Sequence, residues 1–370
     1  MSPFMSRFLV AGIVVLATGC SGGSAAHGPP VASGPVSRTP SALSTPPTSI
    51  PTQTPQIVPA PPLAPPLVVV RSPNGMVAAA TPDGASAWAF DPGHLGIANP
   101  TLVTSGPNLL AYGGGSVAVI DRTGTVIGHG ASAANQDIYP APDGLSWTWT
   151  TLDSTAQPPA PQASSLWTAG LGQHPTKVKT WTGDYTVIAR QWSDAGIVVV
   201  KLGESCGGYP QSSALVDPSH GTETALFGAG RWPLDVRAGL SLGTDREART
   251  LYVIGRAQIT RAFSLLVQGA GVDPSGSRLF VSTSGMTGCG GVAKAATSVI
   301  DVASNSQTTI DGFFADAWLD DQHLLGRSLL PNQPVQGMEF SSRISVADLS
   351  GHESDLAVGT LVGVLRPQSL

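Results

Sequence analysis

The sequence predicts an all-β fold, a six- or seven-bladed β-propeller of four-stranded antiparallel blades, and three observations predict it. Short apolar runs alternate with tight turns of the Pro-Asp-Gly kind. Two types of hairpin follow one another and recur about every 40–50 residues, the spacing of one four-stranded blade. Charged residues make up only 12% of the chain, while Gly numbers 44 and Pro 32, which suits an exported, turn-rich domain.

The first hairpin type is read from its turns. Thr81-Pro82-Asp83-Gly84 leads into Ala87-Trp88-Ala89-Phe90, and Ala141-Pro142-Asp143-Gly144 leads into Trp147-Thr148-Trp149. Trp192-Ser193-Asp194-Ala195-Gly196 precedes Ile197–Val200, Asp273-Pro274-Ser275-Gly276 precedes Leu279-Phe280-Val281, and Trp318-Leu319-Asp320-Asp321 precedes His323-Leu324-Leu325. Proline presets φ at the second turn position, and Asp and Gly accept the tight conformations that follow.

The second type ends its first strand on an aspartate. Val119-Ile120-Asp121, Leu215-Val216-Asp217, Val299-Ile300-Asp301 and Val346-Ala347-Asp348 are each followed within a few residues by another short strand. Each of these carboxylates is expected to cap its turn by accepting backbone N–H groups. Weaker copies lie at Leu166–Gly170 and Leu251–Gly255, and Gly113-Gly114-Gly115 reads as a turn between strands. Roughly 300 residues then hold six or seven blades. Thr360–Leu365 is expected to enter the first blade as its inner strand, closing the ring and removing an exposed edge. A pair of β-sandwiches is the rival fold, but no break in composition divides the domain for it.

These turns resemble those of bacterial propellers built on the Pro-Asp-Gly (WD-like, Tol-type) repeat. The resemblance spans residues 70–358, in degenerate form and without the Gly-His and Trp-Asp pairs of eukaryotic WD repeats. It implies the fold class more strongly than any activity.

Ahead of this domain lie two other segments. Arg7, an apolar run from Phe8, and Leu16-Ala17-Thr18-Gly19-Cys20 have the order of a secretory signal over residues 1–19. The run has roughly half of the 20 or so apolar residues that span a membrane. A cysteine at the cut site resembles the lipobox of bacterial lipoproteins. That resemblance implies a diacylglyceryl group on Cys20, hence firm attachment to a membrane outside the cytoplasm, at the cell surface or in the periplasm. Residues 20–66 are crowded with Pro, Ser, Thr and Ala and carry one charge, Arg38. They read as a disordered linker, a stalk with a reach on the order of 100 Å if extended. Residues 67–370 are the propeller.

No acidic residue precedes Asp83, so this domain holds 17 basic against 24 acidic residues, a formal charge of −7. Nucleic acid is therefore not an expected partner. Cys206 and Cys289, each followed by Gly-Gly, belong to an oxidising compartment and are expected to pair, with two separate buried thiols as the alternative. No CxxC or histidine cluster points to a metal, and no cofactor is expected. Neither HExxH, a GxSxG elbow nor a phosphate-binding loop is present. Asp316, Asp320 and Asp321 read as turn carboxylates in preference to a cation site. The histidines sit mostly beside Gly or Pro in turns.

Trp88, Trp147, Trp149, Trp192 and Trp318 flank the turns, and packing between blades explains them better than ligand stacking. One pointer to a site remains. Tyr139, Arg190 and Asp316 stand two residues before Ala141, Trp192 and Trp318, which assigns them to innermost strands beside the central channel, where propeller ligands commonly sit. The expected function is that of a monomeric, membrane-anchored binding module for a protein, peptide or glycan. The alternatives are a propeller enzyme of hydrolase, lactonase, lyase or quinoprotein type, and an accessory subunit of an envelope assembly.

Overall fold

The computed structural model describes residues 64–152, 162–203, 209–286, 292–328 and 343–367. They form seven four-stranded antiparallel sheets, so the propeller has seven blades. Blade 1 contains β1 (Leu67–Arg71), β2 (Val77–Ala80) and β3 (Ser86–Phe90). Blade 2 is β4 (Thr101–Ser105), β5 (Asn108–Gly113), β6 (Ser116–Ile120) and β7 (Val126–Ala131). Blade 3 is β8 (Tyr139–Pro140), β9 (Ser146–Leu152), β10 (Gln162–Gly170) and β11 (Thr176–Gly183). Blade 4 is β12 (Tyr185–Ser193), β13 (Gly196–Gly203), β14 (Pro210–Val216) and β15 (Glu223–Phe227). Blade 5 is β16 (Trp232–Arg237), β17 (Leu240–Thr244), β18 (Thr250–Gly255) and β19 (Ile259–Ala262). Blade 6 is β20 (Leu266–Val272), β21 (Arg278–Met286), β22 (Val292–Asp301) and β23 (Gln307–Asp311). Blade 7 is β24 (Phe313–Trp318), β25 (His323–Ser328), β26 (Arg343–Asp348) and β27 (Glu353–Val358), and β28 (Thr360–Leu365) ends the series. Cys20, the expected signal and the expected linker up to residue 63 lie outside the described residues, as do Cys206 and Cys289, which fall between the second and third strands of blades 4 and 6.

The burial of each strand follows from its place in its blade. Second strands are covered on both faces by neighbouring sheets, so they read as unbroken apolar runs instead of alternating ones. Leu67–Val70, Asn108–Tyr112 and Gly196–Val200 are buried throughout. Fourth strands meet solvent: β7 and β23 are mostly exposed. First strands touch one another around the ring, β4 to β8, β8 to β12, and on through β24 to β28 and back to β4. They therefore line the central channel.

β28 belongs to blade 1. It pairs antiparallel with β1, Leu67 opposite Leu365 and Arg71 opposite Thr360, giving the order β28-β1-β2-β3. The predicted ring closure is thus the observed one. Arg366, the next residue, ties the seam from both sides. Its N–H donates to Gly106 O of blade 2 (2.7 Å), and its guanidinium donates to Leu319 O (2.8 Å) and Trp318 O of blade 7. Burial and nearby Arg237 push the Arg366 pKa down to about 10, against the pull of Asp320 and Asp321. Arg122 of blade 2 adds a bond to Leu365 O at 3.1 Å.

Because blade 1 takes its first strand from the far end, its hairpins are out of step with the reading above. The turn at Thr81-Pro82-Asp83-Gly84 joins β2 to β3, the third and fourth strands, whereas those at Ala141, Asp273 and Leu319 join first to second strands. Trp88 therefore lies on an outer strand and is not equivalent to Trp192 and Trp318 on inner ones.

The tryptophans pack between blades as expected. Trp147, Trp149 and Trp318 are almost fully buried, and Trp88 and Trp192 are half-buried against apolar clusters. Three indole N–H groups cross to a neighbouring blade: Trp147 to Ala131 O (3.0 Å), Trp318 to Gly271 O (3.0 Å) and Trp88 to Arg122 O (2.8 Å). The ring satisfies its single polar group while its body fills the wedge between sheets.

The aspartate caps are also found. Asp121 Oδ1 accepts from Thr123 N and Thr125 N, Asp217 from Ser219 N and His220 N, Asp301 from Ala303 N and Ser304 N, and Asp348 from Ser350 N and His352 N. Hydrogen bonds to the charged form hold Asp217, Asp301 and Asp348 below the usual carboxylate range. In the Ala141 turn, Gly144 closes the bend at φ +67°, where a side chain would be strained and would meet Ser105 O.

One ionic junction links blades 3 and 4. Glu223 receives Lys179 Nζ and Lys201 Nζ, both at 2.9 Å, and the indole N–H of Trp181. Burial raises its pKa, but the bonds from Lys201, Lys179 and Trp181 together outweigh burial and take it from 4.5 to about 2. A carboxylate with a depressed folded pKa stabilises the fold above its unfolded pKa and loses that contribution as pH falls through the folded value. Between pH 4.5 and about 2, Glu223 is expected to cost the protein about 1–2 kcal/mol after allowance for solvent screening. Thermal unfolding across this window should show a shallower decline for Glu223→Gln than for the parent. Parallel declines would remove Glu223 as the cause.

Candidate functional site

The ring has two unlike faces. Connections from first to second and from third to fourth strands emerge on one side, and the other connections emerge on the opposite side, because the strands alternate in direction. The first side carries the tight turns capped by Asp121, Asp143, Asp217, Asp301, Asp320 and Asp348. Their carboxylates are committed to backbone N–H groups. The second side carries the wider connections, including residues 91–100 and 132–138. Adaptable loops on a rigid scaffold are where binding groups concentrate.

Tyr139, Arg190 and Asp316 do lie on first strands, β8, β12 and β24. Arg190 and Asp316 share a finer feature that the sequence reading missed. Each is an extra residue skipped in the pairing with the second strand, between Ala189 and Gln191 and between Ala315 and Ala317. Leu234, Gln268 and Val362 are skipped in the same way in blades 5, 6 and 1. Such bulges re-aim a side chain, and they favour sheet edges and binding sites. Gln268, exposed like Arg190, joins the candidates on this basis.

The three predicted residues are not brought into contact with one another by any described bond. Asp316 is held by Arg327 through two bonds of 3.0 Å, Nε to Oδ2 and Nη2 to Oδ1. Its side chain is 25% exposed, yet crowding by surrounding protein raises its carboxyl above the usual range, with the Arg327 charge opposing. The Arg190 guanidinium sits over the Trp232 ring at 5.8 Å from its centroid. Tyr139 leans into the apolar cluster between blades 3 and 4 beside Trp192 and Tyr185.

The acidic group at 316–321 divides into separate roles. Asp320 caps its turn at Gln322 N (2.7 Å) and meets His323 Nδ1 at 2.9 Å. Asp321 accepts from Ser275 N of blade 6 at 3.3 Å. Among the described residues, no group of three or more His, Cys, Asp or Glu is arranged to hold a metal ion.

Two concavities open on the wider-connection face. One, of about 500 Å³, lies between Arg71, Asn74, Met76, Asp91 and Asn99. Its neighbour, of about 330 Å³, lies between Thr101, Tyr112, Asn135 and Asp137, and both include Ala98 and Asn99. Sequence spacing does not reveal them, because each is shared between a loop inside one blade and the link to the next.

No protein-family model matches the chain, and no curated protein does. Solved structures share its fold. The acylaminoacyl peptidase of Pyrococcus horikoshii is similar at 11% identity and a TM-score of 0.54, over 76% of this chain and 47% of that one. An acylaminoacyl peptidase in complex with Z-Gly-Gly-Phe-chloromethyl ketone is similar at 12% identity and a TM-score of 0.54, over 80% and 52%. Apo AztD from Citrobacter koseri aligns over 81% of this chain and 96% of its own, at 12% identity and a TM-score of 0.45. At such identities the likeness concerns the fold alone.

Proposed function

We propose that this chain is an extracytoplasmic binding module, attached to a membrane through lipid on Cys20 and engaging a protein, peptide or glycan with its wider-connection face. The observation that carries this reading is the division of labour between the faces. One side uses its aspartates on its own turns, while the other gathers two adjoining concavities. A closed ring keeps those loops in fixed relation, which lowers the ordering cost of binding. An anchor would raise the local concentration of the module at the membrane.

The test places a photo-crosslinking residue at Ala98, on the wider-connection face, or at Ala85, in a tight turn, in the full chain expressed in its native cells. A defined adduct is expected from Ala98 alone and in the membrane fraction, and Cys20→Ser should move the protein out of that fraction. Equal adducts from both positions, or a variant still bound to membrane, would contradict the reading. The double variant Arg190→Ala, Asp316→Ala is expected to lower the Ala98 yield. An unchanged yield takes the channel residues out of the site.

A further inference from the structure

The arginines of this domain are held in different ways. Among the described residues, eight donate hydrogen bonds to protein oxygens, Arg256, Arg261 and Arg278 of blades 5 and 6 among them. Arg231 and Arg246 donate none; each is instead laid on a tyrosine ring. The Arg231 Cζ lies 4.1 Å from the Tyr252 centroid, and the Arg246 Cζ lies 3.6 Å from the Tyr209 centroid. A guanidinium stacked on a ring is held in place, while the N–H groups around its rim stay available.

The two stacks adjoin at the junction of blades 4 and 5, on the wider-connection face. Gly230 N donates to Pro210 O at 2.8 Å, which fastens the residue before Arg231 to the residue after Tyr209. Arg246 follows Asp245, just beyond the end of β17, where Thr244 pairs with Trp232. Trp232 in turn carries Arg190 over its ring. Asp245 is occupied with Arg249 N and Thr250 N (2.8 and 3.2 Å), and Glu247 makes no described bond to either stacked arginine. Arg246 is exposed and Arg231 half-buried, with exposed Arg190 nearby on a channel-lining strand, so unused guanidinium donors meet solvent in a domain whose formal charge is −7.

We infer that Arg231 and Arg246 form a clamp for the carboxylates of an acidic peptide segment. A guanidinium rim offers two parallel donors that match the two oxygens of a planar carboxylate. Tyr209, Tyr252 and Trp232 supply ring surface beside them for the apolar parts of a peptide. The overall negative charge opposes long polyanions such as nucleic acid or phosphate polymers, which gain affinity from broad basic surfaces. A short segment needs only the local pair. This inference rests on the binding-module reading and names the partner chemistry for one sector of its face.

The clamp is tested on the full chain in detergent by fluorescence anisotropy with a labelled tetraglutamate peptide, a tetraglutamine control and labelled tripolyphosphate. Tetraglutamate is expected to bind saturably and more weakly as salt rises, and tetraglutamine not to bind. Arg231→Gln and Arg246→Gln should each weaken tetraglutamate binding about tenfold, the loss of roughly one charge-assisted contact. Arg231→Lys and Arg246→Lys, which keep the charge and lose the fork, should also weaken it. Tyr209→Leu, which removes the ring beneath Arg246, should weaken binding as well. Equal binding of the glutamate and glutamine peptides, or no change in the arginine variants, would overturn the clamp. Tighter binding of tripolyphosphate than of tetraglutamate would overturn the peptide assignment. If tetraglutamate binding fails while the Ala98 adduct persists, the clamp falls and the binding module stands; the reverse outcome removes the module reading and keeps the clamp.

Discussion

Deleting residues 360–370 is expected to abolish the stable monomer. The deletion removes β28, leaves β1 with an unpaired edge and takes away Arg366, which joins blades 2 and 7 across the seam. Val364 and Leu365 are buried at 9% and 0% exposure, and losing each costs about 1.5–3 kcal/mol in transfer energy alone. Backbone groups of β1 then face solvent as a template for another chain. Size-exclusion chromatography should show aggregate in place of monomer, and the remaining soluble protein should melt more than about 10 °C lower. A permutant separates loss of the strand from loss of the end. Leu365 lies opposite Leu67, so residues 360–366 placed ahead of residue 67 through a short turn should restore the monomer. A truncated chain as soluble and stable as the parent would refute ring closure by this strand.

Trp147→Ala is expected to be the most damaging single substitution. The indole is fully buried between blades 2 and 3, with Leu110, Val117, Val119 and Ile138 in the same cluster. Its N–H is bonded to Ala131 O at 3.0 Å. Large-to-small changes of this kind cost about 3–5 kcal/mol, which lowers the melting temperature of a domain this size by roughly 6–12 °C. Trp88→Ala, on an outer strand and half-buried, should cost about a third as much. The fit around Trp147 extends to Gly130, where an added Cβ would collide with the ring edge. Gly130→Ala should therefore destabilise the parent and be tolerated better beside Trp147→Leu, a coupling that a double-mutant cycle measures. Additive effects would show that the ring and the glycine do not share this space.

The fold class was legible because hairpins repeat locally. Val119-Ile120-Asp121 and Val299-Ile300-Asp301 announce a strand, its end and its cap within a few residues, and the caps form as read. Choosing between six and seven blades needed more than the repeat shows. β8 has two residues, and blade 5 makes its first turn with Ala238-Gly239 in place of a Pro-Asp-Gly element. The phase of blade 1 was hidden for another reason. Its first strand lies nearly 300 residues away, so Thr81–Gly84 reads as a turn of the first hairpin type although it joins third to fourth strands.

Less of the candidate site was readable. Strand position identified Arg190 and Asp316 as residues of the channel-lining strands, but the shared bulge, and with it Gln268, appears only in the pairing. Tyr209, Arg231, Arg246 and Tyr252 come from separate segments with no common spacing. Sheet geometry assembles them, and no period in the chain foretells that.

The position of β28 also bears on when the molecule can finish folding. During synthesis, blades 2 to 7 emerge with all their strands in hand, while blade 1 waits for the strand that leaves the ribosome after every other described one. Until then the nascent circle stays ajar, and a polypeptide broken off early keeps an adhesive margin that quality-control proteases can grip.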